Sequence, residues 1–136
     1  MKAKRLTLSI ALLAVILVGI LSRYFHTGFQ IFDKYLGDAL YTVMVYLLLS
    51  LIWIRGRTLH KAMIVMAFMI ALELFQLTLI PYSLSTSSNI FLRIVAIVLG
   101  TKFSWLDLLA YLVGVTLIVI VDSRFIAKLS KNPNSI

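Results

Sequence analysis

Four apolar runs dominate the chain. They are LTLSIALLAVILVGILS at residues 6–22, DALYTVMVYLLLSLIWI at 38–54, a run over 61–80 that stops at Pro81, and SWLDLLAYLVGVTLIVIV at 104–121. A membrane helix needs about 20 mostly apolar residues, within a range of about 17–25, and each run predicts one. Between the third and fourth, PYSLSTSSN reads as a polar loop. IFLRIVAIVLG then offers an apolar stretch broken by Arg93 and too short to span. It predicts a short helix over about 89–99, interfacial or re-entrant, with Ser87, Ser88 or Asn89 as N-cap and Gly100 as C-cap. Residues 122–136 form a basic tail. The expected fold is an all-α membrane protein: one polytopic domain over 1–136 with four transmembrane helices and the short helix between the third and fourth. The first run also resembles a signal peptide. Its apolar core is long for one, and it ends in Ser22-Arg23-Tyr24-Phe25 rather than at a small-residue cleavage site, which favours a retained helix.

Composition agrees. The chain is 62% hydrophobic and 13% charged, where soluble domains have about 45–50% apolar and about 25% charged residues. The net charge is +8, but the basic residues are scattered rather than striped with aromatics, which argues against nucleic-acid binding. The absence of cysteine excludes disulfides, thiolate catalysis and zinc–thiolate sites. His26 and His60 lie far apart, so no metal site and no cofactor are expected.

Charge also orients the spans. With both termini inside, the inner loops and tails carry Lys2, Lys4, Arg5, Arg55, Arg57, Lys61, Arg124, Lys128 and Lys131, against Arg23, Lys34, Arg93 and Lys102 outside. Positive residues favour the cytoplasmic side. The expectation is a bacterial inner-membrane protein with both termini cytoplasmic. Tyr24, Tyr35, Tyr82, Trp53 and Trp105 read as interfacial belt residues.

The five acids are then the informative residues. Asp33 and Asp38 precede or open the second span, Asp107 opens the fourth, and Glu73 lies about 10 Å inside the outer end of the third. Asp122 stands alone at the inner boundary, and the inner half offers no comparable set. Residues three and four apart share a helix face, so Glu73 pairs with Gln76, Asp38 with Tyr41, Thr42 and Val45, and Asp107 with Tyr111 and Gly114. Ala67 with Ala71, and Ala110 with Gly114, would permit close helix approach. A charge at mid-helix costs about 2.5–3.5 kcal/mol, and holding a glutamic acid protonated at neutral pH costs a similar amount. An ionisable residue there points to function. The competing structural reading is that Asp38 and Asp107 complement helix N-termini, and that polar residues join helices at about 0.6 kcal/mol per bond. Arg93 is either a snorkelling side chain or a pocket cation.

Several motifs occur in a recognisable order: GILSR at residues 19–23, GDALY at 37–41, VY at 45–46, ELFQL at 73–77, Arg93, LG at 99–100 and FSWLDLLAYLVG at 103–114. Together they resemble the bacterial membrane family called domain of unknown function 2809, over about residues 19–122. Tyr41 stands where that family more often carries Trp. The family is in turn similar to the VanZ-like proteins, which have a Glu-x-x-Gln on a membrane helix and a later Asp near a helix start. That likeness implies a link to the cell envelope. The resemblance marks Arg23, Asp38, Glu73, Gln76, Arg93 and Asp107 as recurring polar positions and assigns them no reaction.

These residues suggest an outward-facing polar pocket that binds a lipid headgroup or a lipid-linked envelope ligand, since arginine suits phosphate and carboxylate. Two alternatives stand beside it. One is an outer-leaflet lipid-processing enzyme with paired carboxylates, for which no nucleophile motif or phosphate loop is present. The other is an accessory subunit of a larger membrane complex. Proton-coupled transport is disfavoured because the polar residues reach one leaflet only.

Overall fold

The computed structural model describes residues 2–25, 28–78, 80–99, 104–126 and 128. Among them all regular structure is helical: α1 (Lys2–Tyr24), α2 (Gln30–Ile52), α3 (Thr58–Gln76), α4 (Ile80–Ser85), α5 (Ile90–Leu99) and α6 (Trp105–Val121). A π-helical turn, Asp122–Ile126, continues α6. Four stretches are long and apolar enough to cross a membrane: Lys2–Ser22, Phe32–Ile52, Thr58–Gln76 and Trp105–Arg124. The protein is therefore an all-α membrane protein with four such helices, and the short α5 lies between the third and fourth.

The helix ends depart from the apolar runs for local reasons. α2 begins at Gln30, well before the run at 38, with Asp33 in its first turn, where an acid complements the helix dipole. α3 stops at Gln76 rather than at Ile80. The segment expected to be loop then forms α4. There Thr78 Oγ1 accepts the Ile80 N–H at 3.4 Å, and Pro81 sits in the first turn, where a missing N–H does no harm. Asn89 caps α5, its Oδ1 accepting the Phe91 N–H at 2.9 Å. Gly100 lies outside the described residues.

α2 is central, packed against α1 and α6, while α6 also packs on α3 and α4 joins α3 to α5. Chain order makes α2 and α6 run one way and α1 and α3 the other. Lys4 Nζ donates to the Ile54 carbonyl at 3.3 Å, tying the start of α1 to the loop after α2. The end holding that contact carries Lys2, Lys4, Arg5, Arg55, Arg57 and Arg124 and is termed the basic end; the opposite one is the acidic end. The core between them contains Leu8, Tyr46, Leu47, Val65, Met69, Val115 and Ile118.

At Gly114 the helices touch: a Cβ there would lie 2.6 Å from the Ala39 carbonyl oxygen of α2. Ala110, one turn earlier, is buried. That pair serves close packing as expected. Ala67 and Ala71 do not, because both are exposed on the outer face of α3. The buried stripe of α3 runs through Lys61, Val65, Met69, Glu73 and Gln76 instead, and the alanines fall on the opposite side.

Candidate functional site

At the acidic end α2, α3 and α6 each contribute an acid to one interior cluster. Glu73 is 1% exposed. Its Oε1 accepts the Tyr111 hydroxyl at 2.5 Å and its Oε2 accepts the Ser104 backbone N–H at 3.3 Å. Asp107 is 4% exposed, and its Oδ1 lies 3.1 Å from Nζ of Lys34, whose side chain is 53% exposed. That contact is an ion pair without hydrogen-bond alignment. Asp38 interacts directly with Asp107 and electrostatically with Lys34 and Glu73. Its Oδ2 is buried and accepts no hydrogen bond among the described residues. Gln76 is buried one turn from Glu73.

Helical spacing creates this convergence. Lys34 and Asp38, Glu73 and Gln76, and Asp107 and Tyr111 are each three or four apart and so share a face. The structure thus brings Asp38, Glu73 and Asp107 together, with Gln76 beside them. Arg93 stands elsewhere, exposed on α5 and without an ion pair among the described residues. The side chain of Arg23 lies outside the described residues. Lys34 was not among the expected site residues; its four-residue spacing from Asp38 was the signal for it.

The basic end corrects an expectation. Asp122 is not isolated there. The Tyr46 hydroxyl donates to Asp122 Oδ2, and Lys61 Nζ lies 3.7 Å from the same oxygen with both residues 1% exposed. Lys61 also donates to Ser50 Oγ at 3.3 Å and sits 5.7 Å from the Tyr46 ring centroid, within cation–π range. Lys61 and Asp122 occupy span boundaries, where long or charged side chains ordinarily reach water. The missed signal was on α2, where Asp38, Thr42, Tyr46 and Ser50 recur every fourth residue, the last three fully buried. Lys61 and Glu73 are twelve residues apart on α3, or about 18 Å. Buried Val65, Met69, Val115 and Ile118 lie between the two clusters, together with Thr42 of α2, whose hydroxyl donates to the Asp38 carbonyl at 3.0 Å.

A groove of about 270 Å³ runs between α1 and α2, lined among others by Val15, Gly19, Ile20, Gly37, Tyr41 and Met44. His60 is exposed, and His26 lies outside the described residues. Among the described residues no three His, Cys, Asp or Glu side chains are grouped to hold a metal.

No curated protein and no solved structure matches the chain. A family model described as protein of unknown function (DUF2809) matches residues 27–115. That interval begins just before α2 and extends into α6, and it includes Asp38, Glu73, Gln76, Arg93 and Asp107. By that match, over more than half its length, the chain belongs to the DUF2809 family of proteins of unknown function.

Proposed function

We propose that this membrane protein binds a lipid headgroup or a lipid-linked cell-envelope ligand at its acidic end. That end faces outward from the bacterial inner membrane, with both termini cytoplasmic. One observation carries the reading. Asp38, Glu73 and Asp107 come from three helices, and the cation paired among them is the half-exposed Lys34. Among the described residues three carboxyls face one lysine, which leaves acid in excess in a low-dielectric interior, where an unmatched charge is expensive. A ligand that reaches the Lys34 side and carries donors or positive charge would relieve that excess. Gln76 supplies an amide within the same face. Arg93, apart from the cluster and exposed on α5, supplies a cationic contact for a phosphate near the membrane surface. The orientation follows from the bias of basic residues toward the opposite end. The envelope ligand rests on the likeness to VanZ-like proteins and belongs to this proposal alone.

The test is lipid retention by the purified full chain in native mass spectrometry. Glu73→Gln keeps an acceptor for the Tyr111 hydroxyl but turns its amide N–H₂ toward the Ser104 N–H, so thermal melting checks its fold and Asp38→Asn is the companion variant. Glu73→Gln should lower retention about tenfold, the loss of roughly one charge-assisted contact. Unchanged retention in both Glu73→Gln and Asp38→Asn would refute the reading.

A further inference from the structure

We infer that the groove between α1 and α2 holds an acyl chain of the same lipid whose headgroup enters the acid cluster, and that this lipid carries a primary amine and a phosphate. This rests on reading the acidic end as a headgroup site. The groove has an unusual composition for its place. Small residues between membrane helices normally let the backbones touch, as Gly114 does at 2.6 Å from the Ala39 oxygen. Gly19 of α1 and Gly37 of α2 line the groove, yet a Cβ added at either would meet nothing within 4 Å. An interior glycine costs a helix about 1 kcal/mol relative to alanine. Here that cost gains no helix contact; it keeps a furrow open from both walls. In a bilayer the filler of an apolar furrow is hydrocarbon.

Furrow and cluster adjoin on α2. Gly37 and Tyr41 line the groove; Asp38 lies between them in sequence and turns toward Asp107 and Glu73. One amphiphile can therefore occupy both. Charge complementarity selects its head. The acid excess suits an ammonium, and the buried Asp38 Oδ2, which accepts no hydrogen bond among the described residues, can take a donor hydrogen from the same group. A primary amine has such hydrogens and a choline does not. Lys34, with its side chain 53% exposed, stands at the rim for the phosphate, as a lysine point charge does elsewhere.

The experiment presents the full-length protein with phosphatidylethanolamine, phosphatidylcholine or phosphatidylglycerol of identical oleoyl chains, with native mass spectrometry as the readout. Wild type should retain phosphatidylethanolamine preferentially. Gly37→Leu and, from the facing wall, Gly19→Leu fill the furrow without touching an acid, and each should cut that retention about tenfold. A Cβ at either glycine meets nothing within 4 Å; thermal melting checks that both leucine variants fold, and one variant checks the other. If both leucine variants retain the lipid while Glu73→Gln loses it, the groove assignment is overturned and the headgroup site stands. If wild type does not distinguish the three lipids, the amine assignment falls; if Glu73→Gln and Asp38→Asn also leave retention unchanged, the headgroup reading falls with it. If Gly37→Leu instead converts a dimer to a monomer, the groove seats a second copy and the inference is wrong.

Discussion

Replacing Lys61 with methionine removes an ammonium from the interior while keeping most of its stem. Asp122 would keep the Tyr46 hydroxyl on Oδ2, but its Oδ1 accepts no hydrogen bond among the described residues, and the residue is 1% exposed. Removing one partner of a buried ion pair costs about 3–5 kcal/mol. The separation of 3.7 Å is long for such a pair, which places the loss near the lower bound. The Ser50 contact at 3.3 Å adds at most about 1 kcal/mol. The expected total is about 3–4 kcal/mol. Asp122→Leu should cost less, about 1–3 kcal/mol, because the lysine stem can carry its ammonium out toward the basic end. In the double variant Lys61→Met/Asp122→Leu no charge is stranded. Only the Tyr46 and Ser50 hydroxyls lose partners, for about 1–3 kcal/mol. The double variant should therefore be more stable than the sum of the singles by about 2 kcal/mol or more. Reversible unfolding in mixed detergent micelles, followed by helical circular dichroism, gives all three values. A Lys61→Met variant within about 0.5 kcal/mol of wild type, or singles that simply add, would show that the pair is solvated and the burial argument mistaken.

Two more outcomes follow from contacts at the other levels. Gly114→Leu should destabilise the fold by about 1–3 kcal/mol in the same unfolding assay, as overpacking does, because its Cβ would meet the Ala39 backbone at 2.6 Å; Ala67→Leu, on the exposed face of α3, should leave stability unchanged, and equal effects would mean that the α2–α6 contact is misplaced. Tyr111→Phe strips the 2.5 Å donor from Glu73 and should cost about 1–3 kcal/mol for the orphaned acceptor, whereas Tyr82→Phe, at an exposed position, should cost nothing; identical melting of the two variants would contradict burial of the Glu73–Tyr111 pair.

What the sequence made legible was whatever helical periodicity controls. Asp38, Glu73 and Asp107 stand on polar stripes of otherwise apolar helices, and lipid offers such stripes no partner, so they had to face one another. Nothing comparable constrains a helix end outside the apolar run. α2 extends back to Gln30 through residues that hydropathy alone assigns to a loop. α4 was hidden by its proline and two serines and by the Ser- and Thr-containing residues that follow it, which suit turns equally well. Lys61 illustrates a deeper ambiguity. At a span boundary its stem reaches water or an interior aspartate with equal ease. What decides is the stripe on the neighbouring α2, which places Tyr46 and Ser50 beside it. Arg93 is the converse: an arginine in an apolar segment reads equally as a snorkelling side chain or a pocket cation, and its side of the short α5 is exposed.

The two clusters are built alike and differ in their charge balance. Each pairs a buried carboxyl with a tyrosine hydroxyl, Glu73 with Tyr111 and Asp122 with Tyr46. At the basic end one acid faces one lysine, and Lys61, Asp122, Tyr46 and Ser50 are all at most 1% exposed. This buried group joins α2, α3 and the turn after α6 through the Tyr46–Asp122, Lys61–Asp122 and Lys61–Ser50 contacts. At the acidic end, among the described residues, three acids stand with one lysine, Lys34, which pairs with Asp107 and is half outside. An excess of this kind is costly in a purely structural joint, since fewer acids would hold the helices at lower cost in desolvation. Between the two lie buried Val65, Met69, Val115 and Ile118, with Thr42 the polar side chain of α2 at that level. The proposed ligand rests on this difference between the two ends: the acid excess among the described residues and the exposed Lys34.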